Sequence, residues 1–148
     1  MLQLEYIAEF LNKKIISVVG VSRKGDIPAN AIFNKFKAAG YETYAVNPNT
    51  DEVAGEKCYA SIGLLPTKPE AVVLAGPPSV TEKVVADCIT AKIPIVWMHR
   101  GIGRGSFSEK AAEVCKANGI KVITNGCPMM FVSPVDPFHR IYKWFKKY

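Results

Sequence analysis

The chain has 148 residues, 49% of them hydrophobic and 22% charged, which suffices for one well-buried core and not for two, so a single domain over residues 1–148 is expected. Its 11 Gly and 10 Pro stand among abundant Val, Ile and Ala, a composition that excludes a collagen-like, low-complexity or disordered chain. The net charge of +6 points to an anionic partner, but Arg140, Lys143, Lys146 and Lys147 against Asp136 put half of that excess between Pro134 and Tyr148.

The first element predicted is an N-terminal helix with Leu4, Ile7 and Leu11 on one face. Lys14–Val19 (KIISVV) is a β-branched run closed by Gly20, the pattern of a buried parallel strand. After the loop VSRKGDI, Pro28 opens a helix with Ile32, Phe33 and Phe36 on one face and Gly40 at its stop. Glu42–Val46 is a second strand, ended by the turn Asn47-Pro48-Asn49. From Thr50 to Lys68 the apolar pattern weakens, and this stretch is a connection with one short helix around Ser61–Leu65. Ala71–Ala75 is a third strand, followed by Gly76-Pro77-Pro78 and a helix over Ser79–Ala91 capped by Ser79, with Val80, Val84, Val85 and Cys88 facing inward. Ile93–Met98 is the fourth strand, followed by the loop HRGIGRG and a helix over Ser106–Asn118 stopped by Gly119. Ile120–Ile123 is the fifth. A C-terminal helix begins at Asp136-Pro137, with Phe138, Ile141, Tyr142 and Phe145 on one face.

Alternation of strands and helices predicts an α/β, Rossmann-like three-layer sandwich. Its five-stranded, mainly parallel sheet has the order 3-2-1-4-5 and is flanked by N- and C-terminal helices. The longest apolar runs fall far short of the roughly 20 residues of a membrane-spanning helix. The sequence MLQLEYIAEFLNKK lacks the basic leader and cleavage site of a signal peptide, so a cytoplasmic protein is expected. Cys58, Cys88, Cys115 and Cys127 include no C-x-x-C pair, which argues for buried thiols over a zinc site or a disulfide framework.

In an open parallel sheet, ligands bind beyond the carboxyl ends of the strands. The first strand-end loop, Gly20-Val21-Ser22-Arg23-Lys24-Gly25, has the G-x-G-x-x-G spacing with Ser in the middle; its backbone N–H groups attract phosphate, and Arg23 or Lys24 adds charge. The same glycines also serve a structural β-α turn. Asn47 takes the position where an NAD-binding domain usually carries an Asp or Glu for the ribose, although an Asn can also hydrogen-bond there, and Asn47-Pro48 serves a turn equally well. Gly76-Pro77-Pro78 is a rigid wall without a titratable group. Met98-His99-Arg100-Gly101 opens a cationic, glycine-rich loop suited to anions. His99 has no paired acid, Ser or Cys at a recognisable spacing, so no catalytic set is identified. Cys127, beside Pro128 and Met129-Met130-Phe131, suits packing better than reactivity.

Together the loops VVGVSRKG, AVNPN, LAGPP, WMHRGIG and NGCP resemble those of the small bacterial CoA-binding domain proteins, which are related to the N-terminal CoA-binding domain of the succinyl-CoA synthetase α subunit. The resemblance runs from about Lys14 to Met130 and lies in the ordered set of motifs. It implies a Rossmann-like fold that binds CoA through its phosphoadenosine and pyrophosphate. It places Gly20, Val21 and Ser22 in the phosphate loop, Asn47-Pro48 near the ribose, and Gly76-Pro77-Pro78 and Met98-His99-Arg100 around the ligand. Asn125, Gly126, Cys127 and Pro128 then close the pocket. Many stand-alone relatives carry a charged or Gln-containing sequence where this chain has His99-Arg100-Gly101. The synthetase also needs a second domain with a phosphorylated histidine, so its ligase reaction is not implied.

The expected function is therefore non-catalytic binding of coenzyme A or an acyl-CoA, as a carrier, sensor or regulatory module. The alternatives are an NAD(P)- or other nucleotide-binding protein, with Arg23 or Lys24 facing a 2′-phosphate, and a thioester-acting enzyme using His99 or Cys127. The partner is a small nucleotide-type ligand. Nucleic-acid binding is not expected, since no recognition motif accompanies the charge. The C-terminal helix suits packing on the domain or across a homodimer better than lying on a membrane.

Overall fold

Runs that are apolar at nearly every position, such as IISVV, AVVL and IVWM, become strands buried on both faces, as a parallel sheet between two helical layers requires. A computed structural model of the chain describes residues 2–100 and 105–132. The helices in this part are α1 (Leu2–Leu11), α2 (Pro28–Ala38), α3 (Pro78–Thr90) and α4 (Glu109–Ala117). The strands are β1 (Ile15–Val19), β2 (Glu42–Val46), β3 (Glu52–Val53), β4 (Glu56–Tyr59), β5 (Ala71–Leu74), β6 (Ile95–Met98) and β7 (Lys121–Ile123). Single 3-10 turns occur at Ile62–Leu64 and Pro128–Met130. The C-terminal helix expected from Asp136 onward lies outside the described residues.

The sheet runs β3-β4-β2-β1-β5-β6-β7, parallel throughout except for β3, which is antiparallel to β4. This corrects the expected five strands and their order. Ala71–Leu74 does not lie beyond the second strand but pairs with β1, Val18 beside Val73, while β4 occupies the place beside β2. Counted with β4, the parallel strands follow the doubly wound order 3-2-1-4-5-6. Strand β4 escapes detection because EKCY buries only Cys58. Its turn to β3 is Ala54-Gly55, both at positive φ (50° and 80°), a hairpin geometry that Asn-Gly or Asp-Gly would have signalled.

Alternate side chains feed two cores. Ile16, Val18, Val73, Ile95 and Trp97 pack toward α1 and α2, and Val19, Val72, Leu74, Val96 and Met98 toward α3 and α4. Two helix starts differ from expectation. Helix α3 begins at Pro78 with Pro77 rather than Ser79 at the cap, and α4 begins at Glu109 with the Ser108 hydroxyl accepting the Ala111 N–H at 3.2 Å. In both cases the chain uses a residue whose backbone is already extended, as a cap requires.

Helix α1 is turned relative to the predicted face. Ile7 and Phe10 are buried, Phe10 completely, whereas Leu4 is 43% exposed. The Phe10 ring meets Trp97 edge-on at 5.4 Å and Phe36 at 6.2 Å, so it fills the space between β6 and α2. Gln3 docks the other end of the helix on β7, its Nε2 donating to the Val122 carbonyl (3.1 Å) and its Oε1 accepting the Thr124 N–H (2.9 Å). In the middle of the sheet, at the amino ends of β1 and β5, the Glu70 carboxylate accepts the N–H groups of Lys14 and Ile15 at 2.8 and 3.1 Å. These bonds hold its pKa below the usual value.

Truncating Phe10→Ala removes a fully buried ring and is expected to destabilise the protein by about 3–5 kcal/mol, measured by urea unfolding. Because Glu70 has a lowered folded-state pKa, its contribution is present above the unfolded value near 4.5 and is lost as pH falls through the folded value. In Glu70→Gln an oxygen still accepts both bonds but no longer titrates. The fall in urea midpoint between about pH 6 and pH 3 should therefore be shallower in this variant than in the parent.

Candidate functional site

The chain leaves β1 for β2 on one side and later returns to place β5 on the other. The strand order therefore reverses between β1 and β5, and a crevice opens beyond their carboxyl ends. Gly20 stands at that point with φ +111°, and a Cβ on it would lie 3.0 Å from the Gly76 nitrogen and 3.1 Å from the Ala75 carbonyl carbon. Neither the conformation nor the spacing admits a side chain. The two strand-end loops, GVSRKG and AGPP, consequently start in backbone contact.

Three polar side chains then fix the loops. Asn30, in the first turn of α2 and only 5% exposed, grips Ser22 with both ends of its amide. Its Oδ1 accepts the Ser22 N–H at 2.8 Å and its Nδ2 donates to the Ser22 carbonyl at 2.7 Å. Asn47, just past β2, donates Nδ2–H to the Val21 carbonyl at 2.8 Å and accepts the Asn49 N–H at 2.8 Å. The Lys24 N–H turns back onto the Ser22 hydroxyl at 3.2 Å. The Ser22 N–H is thus taken up within the protein, which leaves the Ser22 hydroxyl proton and the Arg23 and Lys24 side chains to meet an anion.

The other half of the crevice is tied together by Ser106. Its hydroxyl donates to the Leu74 carbonyl, its N–H donates to the His99 carbonyl at 2.9 Å, and its own carbonyl accepts the Thr81 hydroxyl at 2.7 Å. The His99 N–H in turn donates to the Leu74 carbonyl at 2.9 Å. The ends of β5 and β6 and the first turn of α3 thus move as one piece. Arg100 bridges to the last loop, donating its N–H to the Gly126 carbonyl at 2.9 Å, and the Trp97 indole donates to the same oxygen at 3.2 Å. The Arg100 guanidinium lies over the Phe107 ring at 4.8 Å, which steadies a cation at the crevice edge.

These contacts divide the predicted residues into groups. Gly20, Val21 and Asn47 are joined to one another or to Gly76, and His99 and Arg100 are joined to Leu74 and Gly126. Ser22, Arg23, Lys24, Pro48, Pro77, Pro78 and Asn125 are half-buried or exposed at the same end of the sheet. The side chains of Val21, Met98 and Cys127 point into the cores, Met98 with 0% exposure, and Pro128 is buried with them. These four have only backbone to offer a ligand. Gly101 lies outside the described residues. Sequence reasoning missed Asn30, Thr81 and Ser106, because a Ser, Thr or Asn near a helix start resembles an ordinary cap or turn residue.

All four cysteines are buried, and none is joined in a disulfide. Burial pushes the Cys115 thiol up to about 11 and raises Cys58 and Cys88 as well, the reverse of an activated nucleophile. No group of three or more His, Cys, Asp or Glu that could hold a metal occurs among the described residues, and no helix among them is long and apolar enough to cross a membrane.

A doubly wound sheet with a glycine-tight switch point and a cationic loop beside it defines a Rossmann-like α/β domain with its crevice at the carboxyl ends of the strands. The chain belongs to the CoA binding domain family, whose model matches residues 14–133. It is 29% identical over 117 residues to ADP-forming acetate–CoA ligase II of Archaeoglobus fulgidus, a match covering 74% of this chain and 17% of the ligase. With the uncharacterised Bacillus subtilis protein YneT it shares 28% identity over 122 residues, 82% of this chain and 87% of that protein. A solved structure of a hypothetical protein from Pyrococcus horikoshii superposes with a TM-score of 0.77 at 29% identity, covering 86% of this chain and 87% of the other.

Replacing Asn30→Ala leaves the Ser22 N–H and carbonyl without their partner and should reduce stability by about 1–3 kcal/mol in urea unfolding. Thiol titration of the native protein with Ellman's reagent near neutral pH should be slow at Cys58, Cys88 and Cys115 and become fast and complete on denaturation. Rapid reaction of more than one thiol per native chain would contradict the buried, raised thiols described above.

Proposed function

We propose that the chain binds coenzyme A or an acyl-CoA in the crevice between the ends of β1 and β5. Membership of the CoA binding domain family over residues 14–133 carries this reading, and the preceding geometry supports it. The anion-facing groups are Ser22, Arg23, Lys24 and Arg100, which suit a pyrophosphate. Gly76-Pro77-Pro78 supplies a rigid wall at the backbone contact with Gly20.

The role we propose is that of a carrier, sensor or regulatory module without chemistry of its own. Burial of all four thiols, Cys127 among them, speaks against thioester exchange on cysteine. The chain spans only 17% of the first-matched ligase, so the ligase activity in that name is not assigned to it. Four cysteines without a disulfide also suit a reducing cytoplasm as the place of action.

Calorimetric titration with CoA, with NAD and NADP in parallel, tests the reading. Saturable one-to-one binding of CoA is expected, displaced by 3′,5′-ADP and poorly by NADP. Arg100→Ala should weaken CoA about tenfold through loss of a charged contact. If a dinucleotide binds and CoA gives neither heat nor a thermal shift, the ligand assignment is wrong.

A further inference from the structure

Helices α3 and α4 lie side by side on one face of the sheet and run in the same direction, because each carries the chain back between neighbouring parallel strands. The Thr81 hydroxyl on the Ser106 carbonyl fixes their alignment near the helix starts. Between them runs an outward-facing groove of about 160 Å³, floored by the buried Val85 and Ala111. Ala86, Ile89 and Val114 form its walls, Val114 with 39% of its surface exposed. At the end nearer the helix starts the lining turns charged, with Glu82 on the α3 rim and Lys110 on the α4 rim. Both are exposed, and neither belongs to an ion pair among the described residues. The other charged residues of the two helices, Lys83, Asp87, Glu109, Glu113 and Lys116, stand outside the lining.

A surface that fits this groove must bring a base against Glu82, an acid against Lys110 and an apolar strip against Ile89 and Val114. A second copy of the chain meets all three conditions when it is turned about a two-fold axis running along the groove. Helix α3 of one copy then lies on α4 of the other, each Glu82 faces the other copy's Lys110, and Ala86 and Ile89 face Val114. An axis across the groove would instead set the charged end of each copy on the apolar end of the other. We propose that the groove between α3 and α4 is a self-association surface through which two copies of this chain pair face to face, with Glu82 and Lys110 joined crosswise. The contact is made by the helical layer and not by a sheet edge. A patch two helices wide is at the small end of specific interfaces, so the dissociation constant should be on the order of 10–100 µM.

Sedimentation velocity on the full chain over a concentration series, without ligand, tests this. The parent should pass from monomer to dimer in that range. Glu82→Lys and Lys110→Glu each set like charges against one another at both contacts and should weaken the dimer by about tenfold or more. In an equimolar mixture of these two variants every contact again joins opposite charges, so the mixture should dimerise about as well as the parent while each variant alone stays monomeric. Val114→Ser, which keeps both charges, should weaken the dimer several-fold. All three positions are exposed on helices, and circular dichroism checks that the variants fold. A parent that stays monomeric well above the expected dissociation constant overturns the proposal, whatever else covers the groove. So does a dimer indifferent to all three substitutions, which would form through another surface, and so does a mixture that fails to recover. None of these measurements involves CoA, so the proposal stands or falls apart from the ligand assignment.

Discussion

The close approach of Gly20 to Ala75 and Gly76 is the constraint on which the rest of this structure depends. Strands β1 and β5 are neighbours in the sheet, but the chain leaves them toward opposite helical layers, α2 on one face and α3 on the other. Two backbones that part company at this distance leave a notch floored by main chain. A side chain at position 20 would fill that notch and push the two loops apart. The glycine is thus required by packing at the strand ends, and the ligand-facing geometry of the loops is a consequence of it.

Around this notch the protein spends polar side chains on itself. Asn30 holds Ser22, Asn47 holds Val21, and Ser106 holds the ends of β5 and β6 against α3. Each of these does the work that a ladder hydrogen bond would do inside the sheet, at a level where the ladder has ended. Loops secured in this way lose little freedom when a ligand arrives, which favours affinity without additional contacts. The same economy explains why few groups remain to face outward and why those that do are mostly cationic.

The parts of the fold that were legible in the sequence are those where burial dictates residue type. Val18-Val19, Ala71–Leu74 and Ile95–Met98 must be apolar on both faces, so strands, sheet class and the location of the crevice follow from the residues. Strand β4 was not legible, because it buries only one residue, Cys58, and its hairpin turns on an Ala at positive φ. That single omission displaced the third predicted strand across β1. The face of α1 was misjudged because both Leu4 and Phe10 can sit on an apolar stripe, and only the ring space beside Trp97 and Phe36 selects Phe10. At the site, the glycines and basic residues stood out by type. Asn30 and Ser106 did not, since their partners are backbone groups that sequence leaves unidentified.

The bond pair between Gln3 and β7 bears on how the molecule keeps apart from its own copies. An outer strand of a sheet displays alternating donors and acceptors that any other extended chain can match. The Gln3 amide occupies one acceptor and one donor of that row, at Val122 and Thr124, much as a neighbouring strand would. Together with the Glu9–Lys121 ion pair beside it (2.6 Å), it closes the margin of the sheet with a helix. Helix α1, which contributes nothing to the crevice, thereby protects the protein from edge-to-edge aggregation.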